Sequence, residues 1–237
     1  MLDIAIVLNG EIKDQQGFEY FLNQATYIIA ADGGLNHLID LEIKPNLFLG
    51  DFDSVKQTSL EKATEWQLKI DQYPERKNFT DSELAINHIF SENLLRKYNG
   101  KKPTIGFLAA FGSRYDHLLS NQLLAAKNAD KANFILTDGL ALQWIINGPK
   151  EMNLNWPLAE HEATEQFNFS LLALSPLVEK ITLQNSEYLL KEYDLKRGSS
   201  IGVSNLVKQN RMSSQQTAKI GISFSKGCLS IIILPAL

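Results

Sequence analysis

The sequence predicts an α/β fold: an N-terminal open, mostly parallel α/β sheet domain followed by a small C-terminal all-β sandwich domain. Residues 1–146 alternate short apolar runs with helical patterns, which is typical of a parallel sheet covered by helices. Residues 147–237 contain short β-type runs without long helical patterns, and the stretch NGPKE at 147–151 separates the two rhythms. We therefore expect an α/β domain at 1–146 and a β-sandwich domain at 147–237.

Five runs in the first part are apolar throughout, as strands covered on both faces should be. They are DIAIVL, YIIAAD, NLFLGD, TIGFLAA and NFILTD. Two longer stretches, TDSELAINHIFSENLLRKY and DHLLSNQLLAAKNA, place their leucines and isoleucines at helical spacing. This order of strands and helices predicts the open sheet.

The second part contains four β-type runs, which are NFSLLALS, EKITLQ, EYLLKEY and KIGISFSKGCLSIIIL. In the last run Ile220, Ile222 and Phe224 alternate with polar or small residues, and the turn SKG leads into a second apolar run. This pattern predicts a β-hairpin.

The composition is that of a soluble globular protein, with 44% hydrophobic and 21% charged residues among 237. The net charge of −4 argues against a nucleic-acid surface, which usually needs a basic face. The start MLDIAIVLNG lacks the basic region and long apolar run of a secretory signal, and no run reaches the length of a membrane span. We expect a cytoplasmic protein without membrane or nucleic-acid partners, and we expect Cys228, which lies in the run CLSIIIL, to be a core residue.

Polar residues collect where the predicted strands end, and ligands of open parallel sheets bind beyond the carboxyl ends of the strands. The stretches are Asp32-Gly33-Gly34, Asp51-Phe52-Asp53-Ser54, Ser113-Arg114-Tyr115-Asp116-His117 and, before the long helix, Lys77-Asn78-Phe79-Thr80-Asp81. Together they offer carboxylates for a hard cation, basic side chains for phosphate and glycines for close backbone approach.

Each stretch also has a purely structural interpretation. The Asp32-Gly33-Gly34 stretch could be a turn, and Thr80 with Glu83 fits a capping box. Asp116 and His117 could serve only the start of the next helix. The pair Asp51 and Asp53 is more informative, because two neighbouring carboxylates repel each other unless a cation or hydrogen bonds offset the repulsion.

The motifs in these stretches resemble those of the thiamine pyrophosphokinase (thiamin diphosphokinase) family. ADGGLNHLIDLEIKPNLFLGDFDSV, KNFTDSELAI and GSRYDHLLSN are similar to D-G-G-x-N, G-D-[FL]-D-S, K-D-x-T-D and G-[GS]-R-x-D-H, in that order. LNWPL and GVSN in the second part resemble elements of the family's β-sandwich, so the resemblance covers most of the chain. It implies transfer of a diphosphate group from ATP to the hydroxyl of thiamine with release of AMP, with Mg²⁺ as cofactor and a homodimer as the assembly.

The resemblance also implies the site residues. Asp51, Asp53 and Asp81 would hold Mg²⁺ and, with Arg114, form the catalytic set. The ATP site would comprise Asp32, Gly33, Gly34, Asn36, Lys77, Thr80, Arg114, Asp116 and His117. Thiamine would bind to Trp156, Ser204 and Asn205 at a dimer interface to which both domains contribute. The sequence leaves open which aspartate accepts the hydroxyl proton, and whether Trp156 stacks on thiamine or belongs to the core.

Three positions depart from the family pattern: Asn78 and Asn46 replace aspartates, and Ser113 replaces a glycine. Asn78 removes a negative charge beside the proposed metal site, which supports a second interpretation as a non-catalytic thiamine or nucleotide sensor. A third interpretation, a haloacid-dehalogenase-type phosphatase, rests on DFDS, but no convincing acidic pair follows a later strand.

Overall fold

The computed structural model describes residues 2–74, 79–91, 94–155, 167–207 and 219–235. The chain divides into two compact units. The first comprises Met1–Ala125 and Phe134–Gly139, and the second comprises Ala126–Asn133 and Leu140–Leu237.

The first unit is built on a mostly parallel sheet. Its strands are β1 (Ile4–Val7), β2 (Tyr27–Ala31), β3 (Leu47–Gly50), β4 (Ile70–Gln72), β5 (Thr104–Leu108) and β6 (Asn133–Thr137), in the spatial order β6-β5-β1-β2-β3-β4. β1 pairs in parallel with β2 and β5, and the parallel pairing continues from β2 through β3 to β4. All residues of β1, β3, β5 and β6 are buried, which is why these runs are predominantly apolar. The predicted α/β fold with a parallel sheet is confirmed.

Helices connect these strands. They are α1 (Gln15–Leu22), α2 (Gly34–Asp40), α3 (Gln57–Glu65), α4 (Asp81–Ser91) and α5 (Tyr115–Lys127), with a 3₁₀ segment at Leu94–Tyr98. The hydroxyl of Thr80 accepts a hydrogen bond from the N–H of Glu83 at 3.3 Å, so Thr80 caps the start of α4. In the part of the chain that the structure describes, no helix is both long and apolar enough to cross a membrane.

The second unit is an antiparallel sandwich. Its strands are β7 (Leu142–Asn147), β8 (Lys150–Asn155), β9 (Phe167–Ala173), β10 (Leu177–Gln184), β11 (Tyr193–Lys196), β12 (Asn205–Leu206), β13 (Lys219–Phe224) and β14 (Cys228–Pro235). One sheet has the order β12-β9-β14-β7 and the other β11-β10-β13-β8. β10 contacts β14 and β11 contacts β9, so the sheets face each other across a core that includes Phe169 and Leu171. Cys228 is buried there, as predicted.

The predicted hairpin at the end of the chain is wrong. β13 pairs with β8 and β10, whereas β14 pairs with β7 and β9, so the SKG turn carries the chain from one sheet to the other. Lys226 forms a bridge with Glu179 of β10, and Gly227 has a φ of +99°. A local turn signal cannot distinguish such a crossing from a hairpin, because both need a sharp reversal.

The predicted strand EYLLKEY is also displaced. Residues 187–192 form a loop, and β11 begins only at Tyr193. The N–H and carbonyl of Tyr188 bond to the side chain of Asn205 instead of a neighbouring strand. The side chain of Asn205, which is distant in sequence, therefore provides the hydrogen-bond partner for both backbone groups of Tyr188.

Candidate functional site

A pocket of about 620 Å³ lies in the first unit, where β1, β2, β3 and β5 end. Its walls come from the residues that follow these strands, and from Thr80, Asp81 and Ser82 at the start of α4. The strands are parallel, so their carboxyl ends meet at one edge of the sheet. The fold thus brings together loops that are far apart in sequence.

Three carboxylates cluster in this pocket. Oxygens of Asp32, Asp51 and Asp53 lie within 4.8 Å of one another. Asp32 is only 6% exposed, and its Oδ1 has no hydrogen-bond partner among the described residues. Its other oxygen, Oδ2, accepts a hydrogen bond from the hydroxyl of Ser54. A buried carboxylate oxygen left without a partner beside two further carboxylates has the chemistry of a site for a hard cation.

Burial sets the electrostatics of Asp32. Removal from water raises the pKa of its carboxyl group, and the negative charges of Asp81 and Asp53 raise it further. Hydrogen bonds from Ser54 and from the backbone of Gly33 lower that pKa and partly offset the effect of burial. The fold therefore disfavours an ionised Asp32 unless positive charge is close by.

The GDFDS turn after β3 carries two of these carboxylates into the pocket. Phe52 has a φ of +70°, a left-handed conformation that bends the chain directly after β3. Its ring stacks on Phe48 with centroids 4.2 Å apart, which anchors the turn to the sheet. Asp51 and Asp53, on either side of Phe52, line the pocket.

The predicted nucleotide residues Gly33, Gly34 and Asn36 do not line the pocket but lie behind its wall. A Cβ atom on Gly34 would collide with the carbonyl oxygen of Val7, so α2 can approach β1 only with glycine at this position. Asn36 is buried; its Nδ2 donates to the Ser54 carbonyl at 3.1 Å, and its Oδ1 accepts from the Lys56 N–H at 3.0 Å. These residues therefore hold the loops that carry the acidic cluster.

A basic group faces the acidic cluster. Arg114 and His117 line the pocket, whereas Asp116 does not. The guanidinium of Arg114 donates to both carboxylate oxygens of Asp116, at 3.0 and 2.7 Å, and to Nε2 of His117 at 2.8 Å. The hydrogen bond from Arg114 holds the pKa of Asp116 well below its usual range, and the same contact raises the pKa of Arg114. The arginine is charged, exposed and fixed in direction, which suits it to phosphate.

The remaining predicted residues of this site fall into two groups. Thr80 and Asp81 line the pocket. Lys77 and Asn78 lie outside the described residues, as does Trp156 of the predicted thiamine site.

The two other predicted thiamine residues lie in the second unit at the start of β12. Asn205 is 2% exposed; its Nδ2 donates to the carbonyl of Tyr188 at 2.7 Å, and its Oδ1 accepts from the N–H of Tyr188 at 3.0 Å. Ser204 is exposed, has a φ of +57°, and donates its N–H to the hydroxyl of Ser170 at 3.0 Å. The ring of Tyr188 is exposed beside this pair of loops.

Sequence reasoning missed the loop after β1, in which Asn9, Gly10 and Glu11 line the pocket. The signal was present, since NGE follows the apolar run DIAIVL just as DGG follows YIIAA. The carbonyl of Gly10 accepts a hydrogen bond from Nε2 of His37 in α2 at 3.0 Å, and burial lowers the pKa of this histidine. His37, in its neutral form, thus stabilises this loop by its hydrogen bond from α2. Ser54 and Asn121 also line the pocket; Ser54 was expected at this edge of the sheet but given no role, and Asn121 was not predicted.

Two protein-family models match the chain. "Thiamin pyrophosphokinase, catalytic domain" matches residues 18–136, and "Thiamin pyrophosphokinase, vitamin B1 binding domain" matches residues 154–229. Among curated proteins, thiamine pyrophosphokinase 2 of Arabidopsis thaliana is 23% identical over 198 residues, which are 76% of this chain and 71% of that protein.

Solved structures of similar fold include a thiamine pyrophosphokinase from Bacillus subtilis. It has a TM-score of 0.77 and 22% identity, and the match covers 99% of this chain and 100% of that one. A thiamin pyrophosphokinase from Candida albicans has a TM-score of 0.74 and 15% identity, with 98% of this chain and 89% of that chain covered. At these identities the likeness concerns the fold.

Proposed function

The chain belongs to the thiamin pyrophosphokinase family, and from that premise we propose that the pocket of its first unit binds ATP with Mg²⁺ and that its second unit binds thiamine. The function is thiamine diphosphokinase activity, the transfer of a diphosphate group from ATP to the hydroxyl of thiamine. The observation that carries the assignment of the pocket is the unpartnered, buried Oδ1 of Asp32 beside Asp51 and Asp53.

The reaction joins the thiamine hydroxyl oxygen to the β-phosphorus of ATP and breaks the bond between that phosphorus and the oxygen bridging it to the α-phosphate, so AMP leaves. Such a transfer depends on positioning and charge neutralisation more than on a protein nucleophile. The chain's contribution is therefore to hold the phosphates, to orient the hydroxyl and to offset negative charge.

The acidic cluster fits Mg²⁺, which prefers oxygen ligands. Asp32, Asp51 and Asp53 would hold the ion, since their oxygens are close together and one of them lacks a partner. When bound, Mg²⁺ supplies positive charge to the phosphate oxygens. Asp81 lines the same pocket, and its role as a ligand, implied by the family resemblance, remains a prediction.

Arg114 is the proposed phosphate-binding side chain. Its guanidinium is oriented by Asp116 and keeps donors available at an exposed position in the pocket. His117 lies beside it, and Thr80 lines the start of α4 in the same pocket. Gly33, Gly34 and Asn36 would act on ATP indirectly, because they support the loops that line the pocket. Lys77 stays a predicted contact.

Thiamine is aromatic and cationic, so an exposed aromatic ring suits it. We assign thiamine to the loops around Ser204 and Asn205, where Asn205 holds Tyr188 by its backbone and the ring is free to stack. Trp156 is the second aromatic candidate.

A homodimer is the proposed assembly, and the outer face of α5 supports it. Tyr115, Leu119 and Leu123 recur every four residues on this helix and are 73, 58 and 67% exposed. Three large apolar side chains in a row on one helix face are typical of a surface that binds another protein.

The cytoplasm is the proposed location of the protein.

Incubating the protein with ATP, Mg²⁺ and thiamine, and measuring AMP, tests the function. We expect AMP and thiamine diphosphate in equal amounts, and no AMP when thiamine is omitted. Release of inorganic phosphate without thiamine would indicate a phosphatase instead. Binding of both substrates without turnover would indicate a sensor.

A further inference from the structure

The hydroxyl of Ser54 hydrogen-bonds one oxygen of a carboxylate whose other oxygen has no partner. We propose that Ser54 is a positioning residue: its hydroxyl holds Oδ2 of Asp32 so that Oδ1 alone is presented to a divalent cation in the pocket. This inference rests on the proposed function only in taking the acidic cluster as the cation site.

The backbone of Asp32 is already fixed. Its N–H donates to the carbonyl of Leu49 at 2.8 Å, and its φ of +48° turns the chain from β2 toward α2. Gly50 packs so closely that an added Cβ would lie 3.0 Å from the Cβ of Asp32. The rotation of its carboxylate is the freedom that remains, and the Ser54 hydroxyl restricts it together with the backbone of Gly33.

Ser54 is itself held in place. Asn36, which is buried, donates to the carbonyl of Ser54 at 3.1 Å and accepts from the N–H of Lys56 at 3.0 Å. The backbone of the turn that carries the hydroxyl is therefore held by α2, the same helix that begins just after Asp32. The first two motifs of the sequence, DGGLN and GDFDS, thus form one hydrogen-bonded unit.

The direction in which the Ser54 hydroxyl donates its proton determines which oxygen of Asp32 is left for the cation. A hydroxyl has one proton to donate, and here it goes to Oδ2. Asp32 would then offer a single oxygen to the cation, beside the oxygens of Asp51 and Asp53. Groups that orient a ligand in this way typically change metal affinity by about 10–100-fold when removed.

The test measures Mn²⁺ binding to the 237-residue chain without ATP or thiamine, by the loss of the electron paramagnetic resonance signal of free Mn²⁺. We expect Ser54→Ala to raise the Kd for Mn²⁺ by about tenfold or more. Ser54→Thr, which keeps a hydroxyl, should stay within about twofold of the wild type. Ser225→Ala removes an exposed hydroxyl that donates to the carbonyl of Glu179, and it serves as the matched control.

A double-mutant cycle separates positioning from direct contact with the ion. If Ser54 acts through Asp32, Ser54→Ala should cause no further loss of Mn²⁺ affinity in an Asp32→Asn background. An equal loss in both backgrounds would overturn the inference and make Ser54 a ligand in its own right. Unchanged Mn²⁺ affinity in Ser54→Ala would overturn it as well.

A failure of the proposed function can be distinguished from a failure of the inference about Ser54. It is tested by AMP formation in the wild type, whereas the cycle uses Mn²⁺ alone. A wild type without AMP formation but with a non-additive cycle would remove the function and keep the role of Ser54.

Discussion

Asn205 binds Tyr188 through both backbone groups, accepting from its N–H at 3.0 Å and donating to its carbonyl at 2.7 Å. This double contact fixes the backbone of Tyr188, while the residue as a whole stays 67% exposed. We expect Tyr188→Ala to raise the KM for thiamine by about three- to tenfold, the size of a cation–π contact, with little change in the KM for ATP. Tyr188→Phe keeps the ring and is the control.

Trp156→Ala is the companion variant to Tyr188→Ala, and it should raise the thiamine KM much more than the ATP KM. Steady-state rates with each substrate varied at saturating levels of the other provide the measurement. Equal changes in both KM values would mean that Trp156 is a core residue. An unchanged thiamine KM in Tyr188→Ala would exclude that ring from the thiamine site.

Asp51→Asn or Asp53→Asn should reduce Mg²⁺-dependent turnover by at least about a hundredfold, because each removes a proposed charge at the ion. The protein should stay folded, since Asp51 is only half-buried and Asp53 is exposed. AMP formation and circular dichroism are the two measurements. Asp130→Asn, the same change at an exposed residue outside the pocket, is the control. Wild-type turnover in either pocket variant would show that Asp51 and Asp53 belong to an ordinary surface turn without a role in turnover.

Asp32→Asn should stabilise the metal-free protein while abolishing its activity. Burial raises the pKa of Asp32 above its ordinary value of 3.8, so the fold favours the protonated form. The wild type therefore loses stability as the pH rises from about 4 through the raised pKa, and the asparagine variant does not share this loss. We expect the Tm of the variant in EDTA to exceed that of the wild type by a few degrees at pH 7, and the difference to shrink toward pH 4. A variant less stable than the wild type at pH 7 would contradict the argument.

Asn78→Asp should lower the Mg²⁺ concentration needed for half-maximal rate. Asparagine keeps one carbonyl acceptor but lacks the charge that attracts a hard dication. The opposing effect is repulsion between the new carboxylate and Asp81 or the phosphates. A Mg²⁺ titration of both forms at saturating ATP and thiamine measures the balance, and an unchanged midpoint would place residue 78 beyond the reach of the ion.

Leu119→Arg should shift the protein from dimer to monomer in sedimentation experiments, because it places a charge within the exposed apolar row of α5. Tyr20→Ser, which removes an exposed apolar side chain from α1, should leave the assembly unchanged. A wild type that sediments as a monomer would remove the proposed dimer.

The architecture was predictable because local pattern and burial agree. Strands such as β1 and β5 are buried on every residue and therefore read as unbroken apolar runs. The pairing partners of β13 and β14 were not predictable, because alternation reports which face of a strand is buried and not which strand lies beside it. The sheet crossing at Ser225–Gly227 was missed for that reason.

The site was predictable to the extent that charged residues follow strands. Asp32, Asp51 and Arg114 were singled out in this way, and all three line one pocket; their roles in binding stay predictions. Asn36 was expected at the nucleotide but hydrogen-bonds to Ser54 and Lys56, because sequence does not tell on which side of a wall a polar side chain lies. Asn9 and Glu11 were missed because their loop carries neither a paired carboxylate nor an arginine.

α5 carries its pocket-lining side chains and its exposed apolar row on opposite faces. With about 3.6 residues per turn, His117 and Asn121 point toward the pocket while Tyr115, Leu119 and Leu123 point away from it. Substitutions along the outer face can therefore accumulate without altering the lining of the pocket. If the apolar row is the proposed dimer contact, related chains can change how they associate through this helix and still keep the same pocket.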